Sequence, residues 1–177
     1  MSYRIGKIPV SWTLDEIESL DYFYEPFNDP MTIDHWKEVY RRDFTIGLQC
    51  DFRNPQPLST QTVLSDLRQQ GYDFDHIGTS YYKMLPGDIL PYHRDTYTSF
   101  CRYHSVTTDD IIRIIVFLQD WQPGFLFEIE DTPITKYPAG TFVAWLSNAS
   151  HMAGNLGRGP RYTLQITGTT DIRSIAK

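Results

Sequence analysis

The feature that most constrains this chain is a series of short, evenly spaced strand-like runs beginning at Ile77. Ile77 to Met84 is followed by the turn formers Leu85-Pro86-Gly87-Asp88, and a second run leads into His93. Arg113 to Leu118 is rich in β-branched residues, the composition of a buried sheet strand. Phe125 to Ile129, Ile134 to Tyr137, Thr141 to Leu146 and Arg161 to Thr167 come next. Gln122-Pro123-Gly124, Pro138-Ala139-Gly140 and Gly157-Arg158-Gly159-Pro160 punctuate them. Strands of this length and spacing predict a sandwich or jelly roll. In the last run, Arg161, Thr163, Gln165 and Thr167 share one face, and Tyr162, Leu164 and Ile166 share the other. A polar face on a late strand of a small barrel suits a ligand pocket, with the apolar face lying under helices.

Those helices are expected upstream. Thr13 followed by Glu16 is a capping-box pattern, with Leu14, Ile17 and Leu20 on one helical face. Asp29-Pro30 predicts the start of a second helix carrying Ile33, Trp36 and Val39 or Tyr40. Leu58 to Gln70 reads as a third, with Val63, Leu64 and Leu67 buried and Gly71 as its stop. Phe44 to Cys50 is read as a strand between them. The expectation is one domain over residues 1–177: a helical support over 1–76 and a β core over 77–170.

Composition narrows the functions. The chain carries 16 Lys+Arg against 22 Asp+Glu, a net charge of -6, and holds no basic run. This argues against affinity built on phosphate contacts, hence against nucleic acid as a partner. Cys50 and Cys101 lie far apart in no C-x-x-C pair, which suits reduced structural thiols. Met1 to Val10 has no apolar core of a signal peptide, and no apolar stretch approaches the ~20 residues of a membrane span. The expectation is a soluble, cytoplasmic protein without a membrane partner, a monomer or homodimer.

The chemistry is concentrated in His93, Asp95 and His151. His93-Arg94-Asp95 is an H-x-D triplet, and on extended backbone residues two apart point to one side. His151 joins from far along the chain. Two imidazoles and one carboxylate on one side of a metal leave the opposite positions open, a geometry suited to non-haem Fe(II). Arg161 stands ten residues after His151 across a segment rich in turn formers. The turn is expected to join two antiparallel strands that bring both side chains to one pocket, where a guanidinium grips a carboxylate at two points. Thr163 on the same face and Tyr82 from an early strand are further donors. The bland alternative for Arg161 is a surface charge or a structural ion pair.

Taken together, His93-Arg94-Asp95, the glycine of Ala139-Gly140-Thr141, His151 and Arg161-Tyr162-Thr163 resemble the core of the Fe(II)/2-oxoglutarate-dependent oxygenase superfamily. The resemblance spans about Tyr81 to Gly168, half the chain. It extends to small prolyl- or aspartyl/asparaginyl-hydroxylase-like members, some of them carried by bacterial viruses. It implies a double-stranded β-helix (a cupin-like jelly roll), mainly β with N-terminal helices packed on one sheet. It implies that His93, Asp95 and His151 hold Fe(II) and form the catalytic centre. Arg161 would bind the far carboxylate of 2-oxoglutarate, helped by Thr163 and Tyr82, and O2 is the co-oxidant. Hydroxylation of a peptide, protein or amino-acid side chain would release succinate and CO2. Related halogenases lack the carboxylate ligand; Asp95 therefore favours hydroxylation. Arg113 is a further cosubstrate candidate by likeness to aspartyl-type hydroxylases, its plain alternative being a pair with Asp109 or Asp110.

Rival readings are a non-catalytic cupin-like binding module, a zinc hydrolase on the same three residues, and oxidative repair of nucleic acid. The intact ligand set and Arg161 weigh against the first two, and the acidic balance against the third. Tyr97 to Asp110 is expected as an irregular loop forming a lid or an ordinary surface loop. His35, His76 and His104 are expected to be structural or exposed, and Trp121 and Trp145 to be core or pocket lining. Tyr22-Phe23-Tyr24 with Phe27 is expected either to help form a peptide groove or to pack on the sheet.

Overall fold

The computed structural model describes residues 3–27 and 29–169. In chain order the elements are β1 (Tyr3–Lys7), α1 (Leu14–Glu18), β2 (Phe23–Tyr24), α2 (Pro30–Tyr40), β3 (Leu48–Asp51), α3 (Ser59–Gln69), β4 (His76–Met84), β5 (Ile89–His93), α4 (Thr98–His104), a 3-10 turn at Thr108–Asp110, β6 (Ile111–Phe117), β7 (Phe125–Ile129), β8 (Thr132–Pro133), β9 (Thr141–Leu146), β10 (His151–Asn155) and β11 (Arg161–Thr169). The strands form a seven-stranded sheet in the order β1-β9-β6-β11-β4-β3-β2 and a four-stranded sheet in the order β5-β10-β7-β8. All their pairings are antiparallel. The architecture is the mainly β jelly roll that the strand spacing predicts.

Two apolar layers hold it together, and β11 separates them. Tyr162, Leu164 and Ile166 lie in an outer cluster with Ile17 of α1 and Val63, Leu64 and Leu67 of α3. The apolar face of β11 thus sits under two of the N-terminal helices, as its alternation requires. The inner cluster lies between the sheets and joins Met84, Ile115, Phe117, Val143 and Trp145 of the large sheet to Leu90, Phe127, Ile129 and Ala153 of the small one. Burying such side chains contributes about 25 cal/mol per Å² of apolar surface.

The helix starts follow their caps. Thr13 accepts from the backbone N–H of Glu16 at 3.2 Å, and Asp29 accepts from the N–H of Met31 at 3.2 Å. Gly71 ends the α3 segment with φ of +90°, a conformation natural to glycine. At α2 the packing differs from expectation. Trp36 is buried, but Val39 and Tyr40 are exposed. Trp36 belongs to the inner cluster, and its indole donates to the Tyr92 carbonyl at 3.2 Å. α2 therefore abuts the end of β5 and does not share the outer layer with α1 and α3.

Four further expectations are corrected. The strand read at Phe44 to Cys50 is confined to β3, where register with β4 begins at Leu48. Ile134 to Tyr137 forms no strand; the small sheet ends with β8, and only the Ile134 N–H reaches back to Phe127, at 2.8 Å. The segment Tyr97 to Asp110 contains α4 and a 3-10 turn in place of an irregular loop. The first part of the turn segment expected after His151 is β10, which lies between β5 and β7. β10 and β11 are consequently not ladder neighbours: they belong to opposite sheets and approach the interior from two sides. No helix among the described residues is long and apolar enough to cross a membrane.

Candidate metal centre and its pocket

His93 closes β5 and His151 opens β10, and the two residues are register partners. Their rings lie 4.3 Å apart between centroids, and the residues are 7% and 4% exposed. The Nδ1 of His93 meets the Pro91 carbonyl at 2.8 Å, and that of His151 meets the Ala149 carbonyl at 3.2 Å. A carbonyl oxygen only accepts, so each Nδ1 carries the proton and each Nε2 keeps its lone pair. Those lone pairs face Asp95: His93 Nε2 is 3.5 Å from Oδ1, and His151 Nε2 is 3.8 Å from Oδ2. One ligand atom from each of the three residues lies within 4.8 Å of the others. His93 Nε2 is buried without a hydrogen-bond partner. A divalent ion of the first transition row fits this donor set.

The electrostatics keep the cluster ready for a cation. Burial by itself would raise the carboxyl of Asp95, but the Arg113 guanidinium and the two imidazoles hold it well below the usual carboxylate range. Burial lowers His151 to about 4, with His93 pushing the same way and Asp95 opposing, so the imidazole stays neutral at physiological pH. Apolar rings fix the imidazoles from outside. Phe27 meets His93 edge-on at 5.2 Å, Trp36 does so at 5.9 Å, and Trp145 packs on His151 at 4.9 Å.

A cavity of about 430 Å³ opens onto the three residues. Tyr82, Ile115 and Gln165 form part of its wall, and Glu25, Phe52 and Arg53 stand among its other lining residues. Phe27 also lines it, whereas Tyr22 packs against the outer cluster, so the aromatic front segment divides between the two roles considered for it. Glu25, Gln49, Asp51 and Arg53, which reading the sequence did not single out, reach the cavity because β2 and β3 continue the large sheet beyond β4. No local motif signals them.

Arg161 and Thr163 are not among the residues that line this cavity; Arg161 sits against Phe117 and Met84 of the inner apolar layer. It is 2% exposed, sits over the Phe117 ring at 5.7 Å, and brings Nη1 within 3.4 Å of the Met84 sulfur. Its Nε and Nη2 are buried with no hydrogen-bond partner, and no carboxylate pairs with it among the described residues. Arg161 is therefore not at the surface, and among the described residues it forms no ion pair. Two guanidinium nitrogens on one edge suit a carboxylate, and an unpaired buried cation is costly without one. Thr163, buried beside it, is the register partner of Tyr82. Tyr82 lines the cavity, but its hydroxyl already donates to the Ile46 carbonyl at 2.5 Å, which leaves its oxygen only as an acceptor.

Arg113 lines the cavity with the three residues of the cluster. Its Nε and Nη2 donate to Asp95 Oδ2 at 3.1 and 2.9 Å, and its Nη1 donates to Thr167 at 2.7 Å. It pairs with neither Asp109 nor Asp110, so the plain alternative for it does not hold; its ion-pair partner is Asp95. Asn155, at the end of β10, donates to the carbonyls of Met84 and Gly159, both at 2.8 Å, and secures the turn before β11. His76 and His104 stack on each other at 4.6 Å, apart from the cluster.

No family model matches the chain, and no curated protein matches it in sequence. Solved structures do match in fold. A prolyl-4-hydroxylase of Pseudomonas putida superposes with a TM-score of 0.57 at 13% identity, covering 96% of this chain and 93% of its own. The viral collagen prolyl hydroxylase of Paramecium bursaria Chlorella virus-1, in complex with 2-oxoglutarate, gives 0.57 at 12% identity over 96% and 97%. The non-haem α-ketoglutarate-dependent carbocyclase of nogalamycin biosynthesis gives 0.56 at 11% identity over 95% and 80%. The chain thus has the fold of the 2-oxoglutarate oxygenases over nearly its whole length.

Proposed function

We propose that this protein is an Fe(II)- and 2-oxoglutarate-dependent dioxygenase that hydroxylates a peptide, protein or amino-acid side chain. The observation that carries the proposal is the buried Arg161, with two unpartnered donors in the same interior as the His93-Asp95-His151 cluster. A zinc hydrolase has no use for that guanidinium. The orphaned Nε2 of His93 and the orphaned donors of Arg161 are the two kinds of atom that iron and a dicarboxylate would satisfy.

When bound, iron and 2-oxoglutarate supply the oxidising chemistry: O2 is consumed, the cosubstrate leaves as succinate and CO2, and a substrate C–H becomes C–OH. The chain's own residues provide position. His93, Asp95 and His151 would hold the metal on one side, with both Nδ1 protons tied back to carbonyls so that the rings do not turn. Arg161 would take the far carboxylate, with Thr163 beside it, and Tyr82 would shape the wall. Phe27, Trp36 and Trp145 keep water from the imidazoles. The carboxylate of Asp95 supports hydroxylation over halogenation. A cytoplasmic setting and an acidic, monomeric or dimeric enzyme without nucleic-acid or membrane partners complete the reading.

The test is succinate production by protein reconstituted anaerobically with Fe(II), then given 2-oxoglutarate and O2, with or without candidate peptides. Turnover that needs iron and vanishes in His93→Ala is expected. Absence of both succinate and metal-dependent 2-oxoglutarate binding would make the chain a non-catalytic barrel.

A further inference from the structure

His93 and His151 are fixed by the backbone ladder of the small sheet, but Asp95 is not. The chain leaves β5 at His93, and Arg94 to Tyr97 belong to no helix or strand. Tyr97 even adopts a left-handed conformation with φ of +53°. A carboxylate on such a segment needs an outside fastener to keep one geometry.

The large sheet supplies it. Arg113 of β6 and Thr167 of β11 are register partners, so the Thr167 hydroxyl meets Arg113 Nη1 directly. With one edge of the guanidinium held, Nε and Nη2 both point at Asp95 Oδ2. The Tyr97 ring lies 5.2 Å from the guanidinium carbon and covers it. The two N–H donors converge on Oδ2 from one side and hold it to the guanidinium edge. Oδ1 faces His93 Nε2 at 3.5 Å, and Oδ2 stays 3.8 Å from His151 Nε2.

We propose that Arg113, held by Thr167, is a positioning residue that fastens Oδ2 of Asp95 and so presents Oδ1 to the metal. The inference rests on the metal-site reading above and adds a second requirement to it. Arg113 acts through Asp95, which its Nε and Nη2 hold. The site is set before any metal arrives, because the clamp needs none.

The test uses Co(II), read by its visible absorption and by titration, in the full-length protein without cosubstrate. Wild type is expected to bind one Co(II), and His151→Ala to lose it. Arg113→Lys keeps the positive charge but not the fork. It is expected to weaken Co(II) binding about 10–100-fold, the usual effect of removing a ligand's supporting partner, and to change the visible bands as Oδ2 is released. Thr167→Val, which leaves the arginine in place, should weaken binding less and in the same direction, and Thr167→Ser should restore it. Unfolding of the metal-free variants by circular dichroism separates these effects from loss of fold; if Arg113→Lys does not fold, the Thr167 pair decides. Wild-type affinity and bands in Arg113→Lys, or in Thr167→Val where the lysine variant is unfolded, overturn the clamp while leaving the metal site intact. Absence of Co(II) binding by wild type overturns both.

Discussion

Replacing Arg161 by methionine is expected to make the metal-free protein more stable while removing most of its response to 2-oxoglutarate. The guanidinium is 2% exposed, with Nε and Nη2 unpartnered. Around it lie the Met84 sulfur at 3.4 Å, the Phe117 ring at 5.7 Å and the Tyr137 phenol. A buried ion of this kind forfeits several kcal/mol of hydration, and a ring face returns only about 0.5–2 kcal/mol. Replacing buried ionic groups with apolar residues of similar volume commonly stabilises by about 1–4 kcal/mol. At about 2–4 °C per kcal/mol for a chain of this size, the metal-free Tm should rise by several degrees. In the metal-loaded wild type, a ligand at 100 times its Kd adds about 2.7 kcal/mol, or roughly 5–10 °C. Losing a desolvated two-point carboxylate contact costs about 2–5 kcal/mol, which removes about two thirds or more of that increment. Thermal melts of both proteins, metal-free and metal-loaded, with and without 2-oxoglutarate, give all four values. A lower metal-free Tm in Arg161→Met together with an undiminished 2-oxoglutarate shift would refute the reasoning, because the arginine would then be a structural cation with its needs already met.

Other consequences are equally measurable. His151 titrates near 4 when folded against about 6.5 when unfolded, so the unfolded chain binds the extra proton between those values. The metal-free protein should therefore lose on the order of 3 kcal/mol as pH falls from about 6.5 to about 4, and urea unfolding at a series of pH values checks it; Asp95, held low, adds to the loss only below its ordinary range. Asn155→Ala removes bonds to Met84, Gly157 and Gly159 at a position with no solvent exposure, and should cost about 3 kcal/mol in urea unfolding at roughly 1 kcal/mol each. Gly140→Ala places a Cβ 2.4 Å from the Ile8 carbonyl at φ of +84°, so a loss of at least about 2 kcal/mol and a lower Tm are expected.

What could be read from the sequence was whatever repeats locally or caps locally. The alternation of Arg161 to Thr167 gave both faces of β11 their correct sides, and Thr13 and Asp29 marked two helix starts. The H-x-D triplet was legible as a motif, but only His93 lies on the strand; Asp95 stands two residues past its end, held by Arg113. β10 was hidden because His151-Met152-Ala153-Gly154-Asn155 has weak strand propensity; its two ladders with β5 and β7 override that preference. The partner of Arg113 was hidden for another reason. Asp109 and Asp110 are nearer in sequence, but Asp95 is brought to it only by the packing of one sheet over the other. The helical stretch at α2 was legible, yet its buried face was not: an isolated pattern cannot say that Trp36 turns toward His93 while Val39 and Tyr40 stay in solvent.

The pairing of β5 with β10 has a consequence for the order of assembly. The two imidazoles become neighbours only when a strand from the middle of the chain meets one near its end, and such long-range closures are slow because the loop entropy is lost before the contact is gained. A metal ion therefore has no complete set of ligands to gather while the chain is collapsing. It meets a barrel already closed, which makes loading a late event and leaves the metal-free protein to reach its native topology on packing alone.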